Sequence, residues 1–286
     1  MRLPLPNVTL FQVDEDCERS RFAEKQCTSK IDFGEVKLYP PCKDWKEYNY
    51  FCLKELHKHF TTSHVLIIQY DGYIINHEGW SDEFLKYDYI APPFDNGVVG
   101  NGGFSLRSHK LCKILSEIDD SDGVWYFNER RGMEKFQDVS DGCPEDAYIS
   151  RSRRKYLENK GIMFAPLSVA AKFGIERNLI QPNYTGQFGA HRLNEEIRLK
   201  YPHLLNDLEE FKIYFDKETS NTAQHDNSFA MISYKIKLLE ELKKIDDSLK
   251  NVPMLDEKYD TWKQLQEVLR AEKEGTEMPL MGGPLK

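Results

Sequence analysis

The sequence has little of several features that would place a protein in a class at once. It holds only six cysteines and no C-x-x-C pair, which argues against a disulfide framework or a zinc cluster and predicts reduced structural thiols. No apolar run approaches the roughly 18 residues that a membrane span needs. The first 16 residues contain one arginine, two prolines and no long apolar stretch, unlike a signal peptide. We therefore expect a cytoplasmic protein with no membrane span.

The chain also lacks an excess of positive charge. The chain has 39 Lys and Arg against 47 Asp and Glu, which gives a net charge of −8. A general nucleic-acid partner normally requires a basic surface, so we expect none. Hydrophobic residues make up 40% of the 286 residues and aromatic residues 12%, which is enough to bury a core and excludes a wholly disordered chain.

The first part of the chain alternates strand and helix patterns. The sequence predicts strands at Val8–Val13, Gly34–Tyr39 and His64–Tyr70, with helical stretches at 17–30 and Tyr48–Phe60. This order is typical of an open α/β sheet with right-handed crossovers. Ligands bind beyond the carboxyl ends of the strands in such sheets, and Asp71 directly follows the most apolar strand.

The patterns are less regular after the third strand. Residues 80–110 and 119–144 are predicted to be loops around a short helix at Leu111–Ile118, and a further helix is predicted from Pro144 to about Lys160. Short strands are predicted at Ile162–Ala165 and Val169–Phe173. We divide the chain into a core, 1–191, and a helical C-terminal region packed on it, 192–286, with an amphipathic stretch at 232–250.

Several residues in these loops are candidates for chemistry, each with a plainer alternative. Asp71, followed by Gly72, suits a cation ligand or a turn cap. The stretch VVGNGGFSLRS, residues 98–108, matches no nucleotide-binding motif. It suits either a site wall, with Asn101 and Arg107 as polar groups, or a plain turn.

The other candidates lie further along the chain. Glu145 and Asp146 follow Pro144, where an acid could serve as a general base or simply favour the helix dipole. His191, in GQFGAHR, suits a cation ligand or a structural role.

An ordered set of segments carries a resemblance to a known family. They are LPNVTL, IDFGEVKLY, VLIIQYDGYIIN, GWSDEFLKYDYIAPPF, VGNGGFSLRS, CPEDAYIS, LENKGIMFAPLSVAAKFGIE and FGAH, and they lie within residues 3–191. Together they resemble an uncharacterised glycosyltransferase-like family of bacteria and large DNA viruses, which is similar to the GT-A nucleotide-diphospho-sugar transferases. The resemblance implies a GT-A-like open mixed sheet flanked by helices, with a helical C-terminal extension.

The resemblance also implies roles for individual residues. Asp71 and His191 would be the metal ligands, and Gln69 stands where many GT-A enzymes carry the first Asp of Asp-x-Asp. Asp146 would be the catalytic base, with Glu145 as the other acid of the pair. The donor site would be formed by Val8, Asp14, Gln69, Asp71, Asn101, Gly102 and Gly103, with Val8 and Asp14 under the nucleoside and Asn101, Gly102 and Gly103 beside the donor sugar and acceptor.

The implied activity is transfer of a sugar from a nucleotide-diphospho-sugar, with a UDP-sugar favoured, to a glycan hydroxyl. The reaction would be inverting and assisted by Mn²⁺ or Mg²⁺, which would offset the negative charge of the leaving diphosphate. Two alternatives remain open: a metal-dependent sugar-nucleotide hydrolase or phosphodiesterase, and a non-catalytic carbohydrate-binding module. The expected partners are a nucleotide sugar and a carbohydrate acceptor.

Overall fold

The structure is a computed structural model. It describes residues 2–14, 17–38, 42–94, 98–121, 123–128, 132–136, 139–176, 184–193, 197 and 200–206. All of these belong to the first of the chain's two compact units, residues 1–235. The amphipathic stretch at 232–250 and most of the predicted C-terminal helices lie outside the described residues.

A five-stranded mixed sheet forms the centre of this unit. The described strands are β1 (Leu3–Gln12), β2 (Ile31–Leu38), β3 (His64–Ile68), β4 (Gly72–Ile74), β5 (Tyr89–Ile90), β6 (Phe104–Ser108), β7 (Val124–Asn128), β8 (Gly132–Phe136), β9 (Gly174–Glu176) and β10 (Gly189–His191). The central sheet has the order β2–β1–β3–β6–β5. Strands β2, β1 and β3 are parallel, and β6 runs antiparallel to β3 and β5.

Helices connect and flank these strands. They are α1 (Cys17–Thr28), α2 (Trp45–Tyr50), α3 (His109–Glu117), α4 (Glu145–Ala147), α5 (Arg154–Asn159) and α6 (Leu167–Phe173). Asp44 caps the N-terminus of helix α2, where its side chain accepts hydrogen bonds from two backbone N–H groups of the first turn. It continues as a π turn, Phe51–Glu55, and a 3-10 turn, Leu56–Lys58. No helix in the described ranges is long and apolar enough to cross a membrane.

The predicted strand–helix–strand–helix–strand order is confirmed by β1, α1, β2, α2 and β3. Strand β3 is buried along its whole length because its side chains alternate between two hydrophobic clusters. Leu66 and Ile68 pack into one cluster, and Val65 and Ile67 pack into the other. A strand covered on both faces has a continuous apolar sequence, which is the signal that predicted it.

Five predictions for the rest of the chain are wrong or incomplete. The glycine-rich stretch contains strand β6, and the predicted loop at 119–144 contains the β7–β8 hairpin. The apolar run at Val169–Phe173 is part of helix α6, because a short apolar run alone does not distinguish a buried helix from a strand. The predicted strand at Ile162–Ala165 contributes only an isolated bridge from Phe164. The helix after Pro144 is broken into α4, a π turn at Tyr148–Ser152, and α5.

A second, three-stranded sheet lies beyond the end of β3, in the order β4–β10–β9. Strand β10 pairs antiparallel with β4, which places His191 opposite Gly72. It also pairs parallel with β9, which places His191 opposite Glu176. This small sheet therefore connects the chain around Asp71 to two segments far along the sequence. Five of the cysteines, at 27, 42, 52, 112 and 143, are buried free thiols.

Candidate functional site

Asp71 and His191 meet at the carboxyl end of β3. A tight turn follows the strand, with two backbone hydrogen bonds between Gln69 and Gly72, and β4 begins at Gly72. Because β4 pairs with β10, His191 Nε2 lies 3.4 Å from Asp71 Oδ1. The predicted convergence of these two residues is therefore present. A Cβ atom on Gly72 would lie 2.1 Å from the carbonyl oxygen of Gly103, so the turn requires glycine here.

Glu176 holds His191 from the opposite side of the ring. The Glu176 carboxylate oxygens lie 2.9 and 3.1 Å from His191 Nδ1. Asn101 Nδ2 donates to the same carboxylate at 2.6 Å, while Asn101 Oδ1 accepts from the Gly103 backbone N–H at 2.8 Å. A carboxylate that accepts from Nδ1 leaves Nε2 directed at Asp71. This is the arrangement by which proteins orient metal-binding histidines.

The charges in this cluster balance one another. Burial acting alone would lower the pKa of His191, but the Glu176 and Asp71 carboxylates outweigh it and raise that pKa to about 10. Burial would conversely raise the pKa of Asp71, and His191 together with Arg192 holds it well below its usual range. The cluster therefore contains an imidazolium between two carboxylates, with Arg192 as a further cation.

Asp71 offers one oxygen that is suited to a cation. Its Oδ2 atom accepts a hydrogen bond from Arg192 Nε at 3.0 Å. Its Oδ1 atom is buried and has no hydrogen-bond partner among the described residues, although it faces His191 Nε2. Two ligands bonded to one cation at about 2.1 Å and at right angles lie about 3 Å apart. The 3.4 Å separation of these two atoms is near that value.

Gln69 borders the same space. A Cβ atom on Gly103 would lie 2.4 Å from Gln69 Oε1 and 2.6 Å from His191 Nε2, so both atoms approach one point. No three His, Cys, Asp or Glu side chains in the described part of the chain are grouped as a complete metal site. A cation that binds here would displace the proton from His191 Nε2. With that proton gone, the donors present fit a divalent cation that is shared with oxygen atoms of a bound ligand and with water. They do not fit a closed structural metal site.

Glu145 forms a buried ion pair with Arg107. Arg107 Nη2 lies 3.0 Å from both carboxylate oxygens of Glu145, and the Tyr48 hydroxyl donates to Oε1 at 3.2 Å. Arg107 is fully buried and Glu145 is 2% exposed. The structure therefore corrects the expectation that Arg107 is a polar group of the site wall. It also commits both oxygens of Glu145 to internal partners, which makes it a poor candidate for a base.

Asp146 differs from its neighbour because its side chain remains partly exposed. Its Oδ1 atom accepts a hydrogen bond from the backbone N–H of Ala147 at 2.6 Å. Partial burial, followed by the negative charge of Glu145, raises the pKa of Asp146 to about 7. A carboxylate with that pKa can take up a proton near neutral pH, as a general base must.

The glycines of the loop connect the two halves of the site. A Cβ atom on Gly102 would lie 3.2 Å from the Cβ of Asp146 and 1.8 Å from Glu145 Oε1, whereas Gly103 lies against His191. Consecutive Cα atoms are 3.8 Å apart, so Asp146 Cβ and His191 Nε2 lie within roughly 13 Å of each other. The backbone can approach both groups only because neither residue carries a side chain.

Two further predicted residues lie inside the protein. Val8 is fully buried in the core cluster and offers no surface to a nucleoside. Asp14 is 6% exposed, and its Oδ2 atom accepts hydrogen bonds from the Ser20 hydroxyl at 3.0 Å and from the Tyr70 backbone N–H. Asp14 therefore joins the end of β1 to the end of β3 and supports the turn that carries Asp71.

Sequence reasoning missed two residues of the site. Glu176 gave no signal, because the strand that carries it, β9, was not predicted. Arg192 directly follows His191, and that adjacency was the available clue.

A comparison with protein-family profiles decides which family the chain joins. The profile described as "Protein of unknown function (DUF5672)" matches residues 34–191, more than half of the chain. The chain belongs to the DUF5672 family. The DUF5672 segment includes Asp71, Asn101, Asp146, Glu176 and His191, and its last residue is the candidate cation ligand itself. A search of curated proteins found no match to the chain.

Proposed function

We propose that this DUF5672 protein is a glycosyltransferase with a GT-A-like fold. It transfers a sugar from a nucleotide-diphospho-sugar, with a UDP-sugar favoured, to a hydroxyl group of a glycan. The observation that carries the proposal is the proximity of Asp71 Oδ1 and His191 Nε2. Gly103 lies against His191, and the adjacent Gly102 lies against Asp146. Further support comes from the location of this convergence at the carboxyl end of parallel strands, where α/β sheets bind ligands.

The first part of the proposal concerns the leaving group. Asp71 and His191, with Gln69 beside them, hold a divalent cation, Mn²⁺ or Mg²⁺, which when bound supplies positive charge to the departing diphosphate. Glu176 keeps the His191 ring in place by accepting from Nδ1, and Asn101 Nδ2 donates in turn to Glu176. Because Gln69 is uncharged, the protein contributes one carboxylate to the cation.

The second part concerns the acceptor. Asp146 takes the proton from the attacking hydroxyl group, and its pKa of about 7 suits that step near neutral pH. General-base assistance of this kind is worth roughly 10²–10⁴-fold in rate. Inversion at the anomeric carbon requires the attacking hydroxyl, and therefore Asp146, to lie on the face of the sugar opposite the diphosphate. The buried Arg107–Glu145 pair holds the backbone from which Asp146 projects.

A product assay tests the proposal. The purified protein is incubated with a panel of nucleotide sugars and glycan acceptors in Mn²⁺ or Mg²⁺, and products are identified by mass spectrometry. We expect acceptor-dependent transfer that Asp71→Asn and Asp146→Asn each reduce at least 100-fold, with Glu158→Gln, an exposed acid on α5, as the control. Release of free sugar without an acceptor would indicate a hydrolase instead. Sugar binding without turnover would indicate a carbohydrate-binding module.

A further inference from the structure

Arg192 is attached to Asp71 by two hydrogen bonds. Its backbone N–H donates to the Asp71 carbonyl oxygen at 2.6 Å, and its Nε donates to Asp71 Oδ2 at 3.0 Å. The side chain is nevertheless 53% exposed, against 12% for Asp71. The Asp71 carboxylate thus contacts the guanidinium group through Nε. Neither Nη atom of Arg192 donates to an acceptor among the described residues.

The backbone of Arg192 is in an unfavourable conformation. Its φ angle is 55°, the one positive φ that a non-glycine residue adopts in the described part of the chain. This left-handed conformation costs an L-residue on the order of 1 kcal/mol or more, and glycine would adopt it freely. Such conformations persist where the surroundings enforce them, and they cluster at functional sites. An arginine here sacrifices stability that a glycine would retain, which suggests that its side chain is needed.

A second guanidinium group lies near the same point. The Arg19 guanidinium carbon is 4.0 Å from the centre of the Tyr70 ring, and Tyr70 immediately precedes Asp71. Two cationic side chains therefore flank the carboxyl end of β3 in a protein whose net charge is −8. A guanidinium group is suited to bind an anionic ligand, because its planar fork matches phosphate as well as carboxylate oxygens.

We propose that Arg192 binds the phosphate groups of a nucleoside diphosphate, with Asp71 orienting its guanidinium group. The inference rests on the proposed function and deepens it by naming the residue that recognises the anion. A guanidinium group has five N–H donors in a planar fork, so contact through Nε leaves four for phosphate oxygens. Asp71 then has two separate tasks: Oδ2 orients Arg192, and Oδ1 faces His191.

Calorimetric titration with inorganic pyrophosphate in Mg²⁺ buffer tests this role without depending on the base, the sugar or turnover. We expect Arg192→Gln to weaken pyrophosphate binding about tenfold or more, because charge-assisted hydrogen bonds are lost. Arg192→Lys should recover part of the affinity, since lysine keeps the charge but lacks the fork. Arg154→Gln is the matched control, because Arg154 Nε also donates to a carboxylate, that of Glu158, at 2.9 Å.

Arg192→Gly separates binding from folding. Glycine accepts the positive φ angle, so we expect the melting temperature to stay within a few degrees of the wild type while pyrophosphate binding weakens as in Arg192→Gln. Equal affinity in the wild type and in Arg192→Gln would overturn the role of Arg192 and leave the glycosyltransferase proposal standing. If the wild type binds neither pyrophosphate nor UDP, the role of Arg192 and the proposed function both fail.

Discussion

His191 Nε2 faces Asp71 Oδ1 at 3.4 Å, although the two residues are 120 positions apart in the chain. The contact depends on a three-residue strand pairing between β4 and β10, and Glu176 on β9 holds the other nitrogen of the ring. The geometric basis of the proposed cation site is a histidine between two carboxylates, one of which has an oxygen without a hydrogen-bond partner in the described part of the chain.

Glu176→Gln tests whether the carboxylate behind His191 orients it for a cation. We expect the affinity for Mn²⁺ to fall about 10–100-fold, because loss of such outer partners typically has that effect on metal binding. Electron paramagnetic resonance of free Mn²⁺, titrated with protein and UDP, measures this. An unchanged Mn²⁺ affinity, in a variant that stays folded, would show that Glu176 has no part in holding a cation.

The pH dependence of transfer should report Asp146. A general base works in its ionised form, and the pKa of Asp146 is raised to about 7. The rate should therefore fall about tenfold for each pH unit below 7 and level off above it. A profile that stays flat between pH 5 and 8 in the wild type would remove Asp146 from this role.

The raised pKa of Asp146 also predicts that the folded protein loses stability as pH rises, although the rate of transfer increases over the same range. The fold disfavours the ionised form of Asp146, whose pKa is about 3.9 in the unfolded chain and about 7 in the folded protein. The free energy of unfolding should therefore decrease as pH rises from about 3.9 to about 7. Asp146→Asn removes that charge. We expect the variant to melt above the wild type at pH 8, and the difference to disappear near pH 4. Scanning calorimetry at both pH values measures it, and a variant that is less stable at pH 8 would contradict the assignment.

Arg107 and Glu145 should behave as one unit in stability measurements. Removing one partner leaves the other charge buried without compensation, which costs about 3–5 kcal/mol. We therefore expect Arg107→Met and Glu145→Met each to lower the free energy of unfolding by that amount. The double variant should lose much less than the sum. Urea denaturation of all four proteins completes the cycle, and additive losses would mean that the pair is not coupled.

The sequence predicted the elements that have strong local patterns. Strands β1, β2 and β3 and helix α3 carry apolar runs or helical spacing, and Asp71 was recognised because it follows the most apolar strand. Strand β6 was missed because Ser105 and Arg107 are polar, yet both are fully buried through hydrogen bonds and an ion pair. Local pattern does not reveal a polar residue that is satisfied by a distant partner.

The site itself was predictable in part. Asp71, His191 and Asp146 were candidates by residue type and position, but their proximity depends on β10 and on the glycine loop. Glu145 and Asp146 are adjacent in sequence and were separated only by the structure, because Glu145 meets Arg107 and Asp146 does not. Glu176 and Arg192 act through contacts with residues more than ten positions away, and such contacts leave no local signal.

Calorimetric titration of UDP with and without Mn²⁺ is the most direct test of the cation site formed by Asp71 and His191. We expect Mn²⁺ to strengthen UDP binding at least tenfold in the wild type, and to have little effect in Asp71→Asn. UDP affinity that is the same with and without Mn²⁺ in the wild type, or an equal gain in Asp71→Asn, would contradict the account.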